Sequence, residues 1–389
     1  MHETLTPSGA LDRPEPLVLF AFFEPLGALD RFQPAGFPEV GHVIYKAPRN
    51  DGAVENVCII DSAASMANHL ESLCMRGAHD FDLVDELQGM PYLRCVTGDL
   101  ENGTLPADRR EVVVTSLTEG HRIASTYFLE GSILNENGLP VAIPESGKTS
   151  RDKNSSSESG KFEAELIKEF GIVLPGSKRA HPPADKWWNV FKTIFRYDPN
   201  TLVHGVLFPK WQIKIPRVLT AHLEAFGASK VDRSGVKFDR LGKTTSGQPI
   251  FAVDDATARQ IRATFILDTA LVRSFGRENN GVILGLSRTQ KEFLIALALW
   301  KVKELCEKPF RFRTGCYLQA TRLTDDVGQK VTIDVNIGSA INEAGFQEPR
   351  ITDIFWPREE LYREGEEEDE KDTETNSEAN GAEAEEESE

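Results

Sequence analysis

The sequence has few cysteines, five in 389 residues, and no CxxC pair among them. Scattered thiols in an odd number argue against a disulfide framework and a structural zinc site, and they are typical of a protein in the reducing cytoplasm. His69, Cys74 and His79 have loose metal-ligand spacing. We interpret them as a buried thiol and two surface imidazoles on one helix. The sequence therefore predicts no metal and no other cofactor.

Long apolar runs are also missing. Residues 17–23 and 293–300 are the strongest candidates, and charged residues bound both before they reach the ~20 residues that a membrane span needs. The sequence contains no GxGxxG motif. Residues 142–149, AIPESGKT, follow a phosphate-loop pattern only loosely, without the flanking strand and helix that phosphate binding requires. The sequence therefore predicts neither a membrane protein nor a nucleotide-dependent enzyme.

Negative charge is abundant but unevenly placed. The formal net charge is −17, and residues 364–389 alone carry −13, which leaves −4 for the rest of the chain. This acidic tail has almost no side chain that could be buried, so we predict that it is disordered. Two interpretations of the tail stay open: a solvated segment, or a competitor of nucleic acid for a basic surface.

The remaining chain contains two basic segments. Residues 178–243 hold 13 Lys and Arg against five acidic residues, and residues 256–323 hold 12 against five. The first segment also carries Trp, Phe and Tyr residues between its basic ones. Basic and aromatic residues interleaved in this way are typical of surfaces that bind single-stranded nucleic acid.

The residues predicted to contact RNA are mostly cationic. Lysine and arginine flank Trp211 in a proline-stiffened loop, Gly235 lies in a tight turn, and Arg288 begins a helix whose dipole favours anions. For His121, acid–base chemistry beside a 2′-hydroxyl and a phosphate or structural contact both stay open. The predicted contact residues are Arg122, His121, Lys210, Trp211, Lys214, Arg217, Gly235, Lys237, Arg240, Arg288, Arg311 and Arg313.

Strand and helix patterns alternate irregularly along the chain, which favours an α+β fold with an antiparallel sheet. Residues 1–363 are predicted to form one elaborated domain with a polar, mobile insertion at about 145–161. Strands are predicted at 17–23, 57–60, 112–114, 202–208, 264–268, 282–286, 310–314 and 331–337. Helices are predicted at 63–74, 116–124, 162–170, 185–195, 217–226 and 289–306.

Several ordered blocks resemble a known family. They are FQPAGFPEVGHVIY, IIDSAASMANHLESLC, SLTEGHRIASTYF, LVHGVLF with PRVLTAHLEAFGA, SGVKFDR and GLSRTQKEFLIALALWKVKEL. Together they resemble the Csb-type backbone subunit of type I-U (also called I-G) CRISPR effector complexes, in the Cas-seven group of the RAMP superfamily. The resemblance extends over residues 17–357 and leaves out the acidic tail.

The resemblance implies a hand-shaped subunit with an RRM-like palm and inserted finger and thumb elements. It implies a non-catalytic protein that polymerises along the CRISPR guide RNA and supports pairing of the guide with target DNA. The implied partners are guide RNA, target DNA, further copies of the chain in a helical filament, the large subunit and a Cas-five/Cas-six-type subunit. A metal-independent RAMP-type RNA endonuclease, using His121 or a neighbouring lysine, is the alternative.

Deleting residues 364–389 should leave the melting temperature nearly unchanged, because a tail without apolar side chains contributes little to folding. Thermal unfolding of the full and truncated chains, followed by circular dichroism, tests this expectation. A decrease of many degrees on deletion would show that the tail is docked on the domain.

Overall fold

The computed structural model of the protein describes residues 2–36, 41–140, 160–172, 181–231 and 255–361. The predicted acidic tail lies outside the described residues, as does nearly all of the predicted insertion. The loop that contains Gly235, Lys237 and Arg240 lies outside them as well.

The described helices are mostly short. They are α1 (Pro7–Leu11), α2 (Ala63–Ser72), α3 (Thr126–Leu129), α4 (Phe162–Phe170), α5 (Trp187–Tyr197), α6 (Pro199–His204), α7 (Thr269–Ser274), α8 (Arg288–Glu307), α9 (Ile337–Glu343) and α10 (Arg358–Leu361). The long helix α8 begins with a capping box in which Ser287 and Gln290 exchange side-chain and backbone hydrogen bonds. Residues 293–300 of α8 are buried on every side, so this helix forms the centre of the core.

The described strands fall into one large sheet, a smaller one and several hairpins. They are β1 (His2–Leu5), β2 (Leu17–Pro25), β3 (Ile44–Pro48), β4 (Val54–Asp61), β5 (Met75–Gly77), β6 (Asp80–Leu83), β7 (Tyr92–Thr97), β8 (Glu111–Thr115), β9 (Ser132–Ile133), β10 (Val206–Phe208), β11 (Ile213–Ile215), β12 (Leu219–Phe226), β13 (Ser229–Val231), β14 (Asp255–Thr257), β15 (Gln260–Leu267), β16 (Gly276–Asn279), β17 (Val282–Gly285), β18 (Phe310–Arg313), β19 (Cys316–Asp325), β20 (Lys330–Ile333) and β21 (Ile351–Phe355).

The large sheet has nine strands in the order β1-β20-β19-β2-β15-β12-β4-β3, with β18 paired to β19. Every pairing is antiparallel except that of β1 with β20. Leu17, Leu19, Ala21 and Phe23 of β2 are buried and alternate with less buried neighbours, as expected when helices cover one face of a sheet. Helices α2 and α6 pack against β12, and α8 packs against β19 and β20. The predicted α+β class with an antiparallel sheet is confirmed.

A second, four-stranded sheet in the order β8-β7-β21-β9 joins the chain's early and late parts. Buried Asp353 on β21 receives hydrogen bonds from Arg94 on β7 and from Arg110. This charged cluster fixes residues far apart in sequence, and breaking one member of a buried cluster is costly.

One helix prediction is wrong, because residues 219–226 form strand β12. Leu219, Ala221, Leu223 and Ala225 are buried in strict alternation, and the strand pairs with both β4 and β15. Leu, Ala and Glu favour helices in isolation, but burial against the sheet overrides a propensity worth less than ~1 kcal/mol per residue.

Other predicted boundaries also differ from the structure. The segment predicted as one strand at 202–208 is the end of helix α6, a glycine turn and strand β10. The helix predicted at 116–124 is a set of turns followed by a short 3-10 helix at 122–124. Strand β21 was not predicted, although it is the last strand that the structure describes. No helix within the described ranges is long and apolar enough to cross a membrane.

Candidate nucleic-acid interface

A groove of about 570 Å³ opens beside the β10–β11 hairpin. Four side chains that can carry positive charge line it, namely His121, Arg122, Lys214 and Arg217, together with buried His204. No carboxylate is among the described residues that line the groove. A groove whose charged lining residues are all cationic attracts anions, because their charges act on the same volume.

The hairpin fixes one wall of the groove. Val206 and Phe208 pair with Ile215 and Ile213 and are buried, whereas Leu207 pairs with Lys214 on the exposed side. This alternation directs the Lys214 side chain away from the core. The hairpin is therefore a rigid support for an exposed cation.

Gly205 forms the turn between helix α6 and strand β10 of the hairpin. Its φ of 80° lies in the left-handed region, and an added Cβ would approach the carbonyl oxygen of Ile215 to 2.8 Å. Only glycine fits both constraints without displacing backbone. The close approach of the two backbones narrows the groove at this point.

Arg122 forms the floor of the groove and is buried. Its guanidinium donates from Nε and Nη2 to both carboxylate oxygens of Glu71, each at 2.7 Å. Nη1 donates to the carbonyl oxygens of Gly120 and Gly205 at 3.3 Å. The sequence predicted that Arg122 contacts RNA, whereas the structure shows that its Nε, Nη1 and Nη2 already donate to protein acceptors. Arg122 therefore positions the groove walls through a bidentate ion pair.

The ion pair extends into a buried polar network. Asn200 Nδ2 donates to Glu71 Oε1 at 2.7 Å, and the fully buried Lys301 ammonium donates to Asn200 Oδ1. Lys301 also lies 2.9 Å from His204 Nε2. Glu71 thus compensates two cations, Arg122 by direct contact and Lys301 through the Asn200 amide, as buried charges require.

His204 is held neutral by its surroundings. Burial lowers its pKa well below the usual value, and the nearby charges of Lys301, Arg122 and Arg217 lower it further. A neutral imidazole can accept the Lys301 proton donor at Nε2, which assigns its own proton to Nδ1. Burial also raises the pKa of the neighbouring Asp198 to about 6, against the effect of a hydrogen bond from Thr201.

Sequence reasoning missed Glu71, Asn200, His204 and Lys301. One pattern in the sequence could have indicated this network: Lys301 follows the apolar stretch 293–300 of helix α8, and a buried lysine requires polar partners. Those partners come from α2 and α6, which are far away in sequence.

Lys214 and Arg217 are the groove cations that remain available to a ligand. Among the described residues, no acidic side chain forms an ion pair with Lys214 or Arg217. Burial lowers the pKa of Arg217, and the charge of Arg122 lowers it further. An anion bound between Lys214 and Arg217 would offset the repulsion between the Arg217 and Arg122 charges.

The structure places Trp211 and Lys210 away from the groove. The Trp211 indole is only 3% exposed and packs on Phe208 and Phe170, so it cannot stack on a base as the sequence predicted. Lys210 is exposed and lies 3.2 Å from Glu163. Both residues line a second cavity of about 680 Å³, which Glu119, Glu130 and Glu163 also line. Burial of a large aromatic ring such as that of Trp211 stabilises the fold, and exposure in the loop would lose that stabilisation.

Of the other described contact residues that were predicted, only His121 lines the groove. His121 is highly exposed, with Nδ1 3.1 Å from Glu119 Oε1, and it lines both cavities. Arg288 pairs with Asp12 and Glu292 on the surface. Arg313 pairs with buried Asp61 at 2.6 Å, and Arg311 donates to Thr314. The structure thus brings together His121, Arg122, Lys214 and Arg217 from the predicted set.

Comparison with known proteins gives the family of this chain. Residues 17–230 match the family described as CRISPR-associated protein GSU0053. The match covers more than half of the chain, so the chain belongs to this family and has a role in CRISPR defence. It includes Glu71, Arg122, Lys214 and Arg217, and it is consistent with the Cas-seven resemblance. No curated protein matches the chain.

Replacing Glu71 by Gln should lower the free energy of unfolding by about 3–5 kcal/mol, because Arg122 would lose its buried counter-charge. Chemical denaturation of the two proteins measures the difference. Asp85→Asn is the matched control, since Asp85 pairs with exposed Arg76 and should change stability by less than about 1 kcal/mol. Equal effects of the two substitutions would contradict a supporting role for the buried pair.

Proposed function

We propose that this protein is the non-catalytic backbone subunit that holds guide RNA in a CRISPR effector complex. The observation that carries the proposal is the groove of about 570 Å³ that Lys214 and Arg217 line and that no described carboxylate lines. Family membership supplies the context of CRISPR defence, and the groove supplies a binding chemistry for a phosphate backbone.

The groove suits the backbone of a single strand rather than particular bases. Lysine and arginine neutralise phosphates without reading sequence, and the paired strands of the hairpin hold Lys214 in place before RNA arrives. A preformed site loses less conformational entropy on binding than a flexible loop does. Sequence specificity is then left to pairing between guide and target DNA.

The wider assembly is part of the same proposal. Copies of the chain stack along the guide as a helical filament, and the ends contact the large subunit and a Cas-five/Cas-six-type subunit. The complex acts in the cytoplasm, a location supported by four buried cysteine thiols, all of them unpaired, among the described residues.

An RNA endonuclease is the second candidate. The observation that favours it is the contact between His121 and Glu119 at the edge of the groove, because a carboxylate orients an imidazole for acid–base chemistry. The histidine side chain is 82% exposed, however, and such an open position gives little control over a reacting hydroxyl. We therefore favour binding without cleavage.

The double substitution Lys214→Ala and Arg217→Ala should weaken binding of single-stranded RNA to a similar degree for unrelated sequences. Loss of two phosphate contacts should reduce the slope of log affinity against log salt by about 1.4. Fluorescence anisotropy across a salt series measures both quantities.

Lys210→Ala is the matched control for this double substitution, because Lys210 belongs to the same hairpin loop but pairs with Glu163 outside the groove. It should leave the salt slope nearly unchanged. If the double variant keeps the wild-type slope, or if Lys210→Ala reduces the slope equally, the groove is not the phosphate site.

End-labelled guide-repeat RNA should remain intact when incubated with the purified protein, with or without divalent metal. His121→Ala should then change neither the RNA length nor, by more than a few-fold, its affinity. Denaturing gel electrophoresis provides the readout. A discrete product that disappears in His121→Ala would support the endonuclease instead.

A further inference from the structure

The groove and the second cavity share a border. His121 and Leu207 line both, so the two cavities open beside one another at the β10–β11 hairpin. Their charges differ in sign. Glu119, Glu130 and Glu163 line the second cavity, and its one described lysine is paired with Glu163, whereas the described charged residues that line the groove are all cationic. An anion near this border is therefore repelled from one cavity and attracted to the other.

The acidic tail, residues 364–389, is attached near this border. Trp356 Nε1 donates a hydrogen bond to the carbonyl oxygen of Tyr127 at 2.7 Å, and Tyr127 lines the second cavity. Helix α10 follows at once, and its last residue, Leu361, packs against the core. The first acidic residue of the tail, Glu364, comes three positions later. The fold therefore holds the attachment point of the tail close to two cavities of opposite charge.

The tail is long enough to reach the groove. Its first acidic run, residues 366–370, consists of five consecutive acidic residues and starts five positions after Leu361. An extended chain covers about 3.3–3.6 Å per residue, so residues 366–370 can lie up to roughly 16–32 Å from Leu361. The second cavity is what separates Tyr127 from the groove, and this reach is sufficient to cross it.

The chemistry of the tail matches that of the groove. The tail has 14 acidic residues and one cation, Lys371, so most of its carboxylates have no counter-charge within the tail. Ammonium and guanidinium groups such as those of Lys214 and Arg217 bind carboxylate oxygens as they bind phosphate oxygens. Charges attract strongly only within about 8–10 Å at physiological salt. The tail can therefore act on the groove by entering it, and hardly at all from a distance.

We propose that the acidic tail is a built-in competitor of RNA: in the RNA-free protein its carboxylates occupy the groove and contact Lys214 and Arg217, and bound RNA displaces them. The proposal rests on RNA binding in the groove and adds the regulation of that site. Exposed charge contacts are weak, and a tethered segment is present at an effective concentration on the order of 1 mM. The tail therefore excludes weakly bound anions and yields to a tightly bound strand.

Carbodiimide cross-linking of the RNA-free full chain tests the contact, because this reagent joins a lysine amine directly to a neighbouring carboxylate. Lys214 should be joined to residues 364–389, and mass spectrometry of the peptides identifies the product. Lys210 is the matched control, since it belongs to the loop of the same hairpin but lies 3.2 Å from Glu163. It should be joined to Glu163 and not to the tail. Added RNA should suppress the Lys214 product.

The affinity of the truncated chain for RNA tests the competition. A groove that the tail fills for about four-fifths of the time has a Kd for RNA raised about fivefold, so deleting residues 364–389 should lower the Kd by about that factor at low salt. Converting the five acids of residues 366–370 to their amides should give part of this gain. In the Lys214→Ala/Arg217→Ala background the deletion should change the Kd by less than about twofold, because the cations that the tail contacts are gone.

A synthetic peptide with the sequence of residues 364–389 tests the same competition without the tether. At millimolar concentration and constant ionic strength it should raise the Kd of the truncated chain for RNA. A peptide with Gln and Asn in place of Glu and Asp is the matched control and should leave the Kd unchanged. The melting temperature should differ by no more than a few degrees between full and truncated chains, since a fivefold occupancy contributes little to the stability of a domain of this size.

The outcomes separate this inference from the proposed function. If Lys214 forms no product with the tail, or if the deletion lowers the Kd equally in the wild-type and Lys214/Arg217 backgrounds, the tail is a solvated segment. The inference is then wrong, and the groove is still the RNA site if the double variant reduces the salt slope. If RNA leaves the Lys214 product unchanged and the double variant keeps the wild-type slope, the groove binds the tail and not RNA, and both proposals are wrong.

Discussion

The buried ion pair between Arg122 and Glu71 is the interaction on which the candidate interface depends. It joins helix α2 to the turn before α3, and the same guanidinium binds the carbonyl oxygen of Gly205 at the start of the hairpin. Lys301 from the central helix reaches the same glutamate through Asn200. Charges in this position are costly to desolvate, so they persist only while every partner is in place. The groove therefore has its shape because the network beneath it is complete.

Strand β12 connects the hydrophobic core with the groove. Its buried residues alternate from Leu219 to Ala225 and belong to the core, and Thr220 borders the groove. The strand thus holds one wall of the groove at a fixed position relative to the core. Rigid secondary structure positions side chains more accurately than loops do.

The sequence predicted the class of fold and part of the site. The apolar run at 17–23 and the capped apolar helix at 289–306 were predicted from their length and flanking residues, and both appear in the structure. Residues 217–226 were mistaken for a helix because leucine and alanine spacing fits both periods, and only pairing with β4 and β15 decides between them.

Lys214 and Arg217 were predicted because a charge cluster is visible in sequence. The burial of Trp211 and the pairing of Arg122 with Glu71 were not predictable, since both depend on contacts between distant segments. Local composition shows which residues are basic. It does not show which basic residues are already neutralised within the fold.

The proposed binding of RNA is compatible with an acidic chain, because attraction depends on local rather than total charge. Most of the −17 net charge lies in residues 364–389, and only −4 belongs to the remaining chain. Opposite charges more than about 8–10 Å from a phosphate are largely screened at physiological salt. Within that distance, the groove offers Lys214 and Arg217, and the described carboxylates beside it are bound to Arg122, Asn200, Thr201 or His121. Because those acids are already paired, Lys214 and Arg217 determine the sign of the electrostatic potential at the groove.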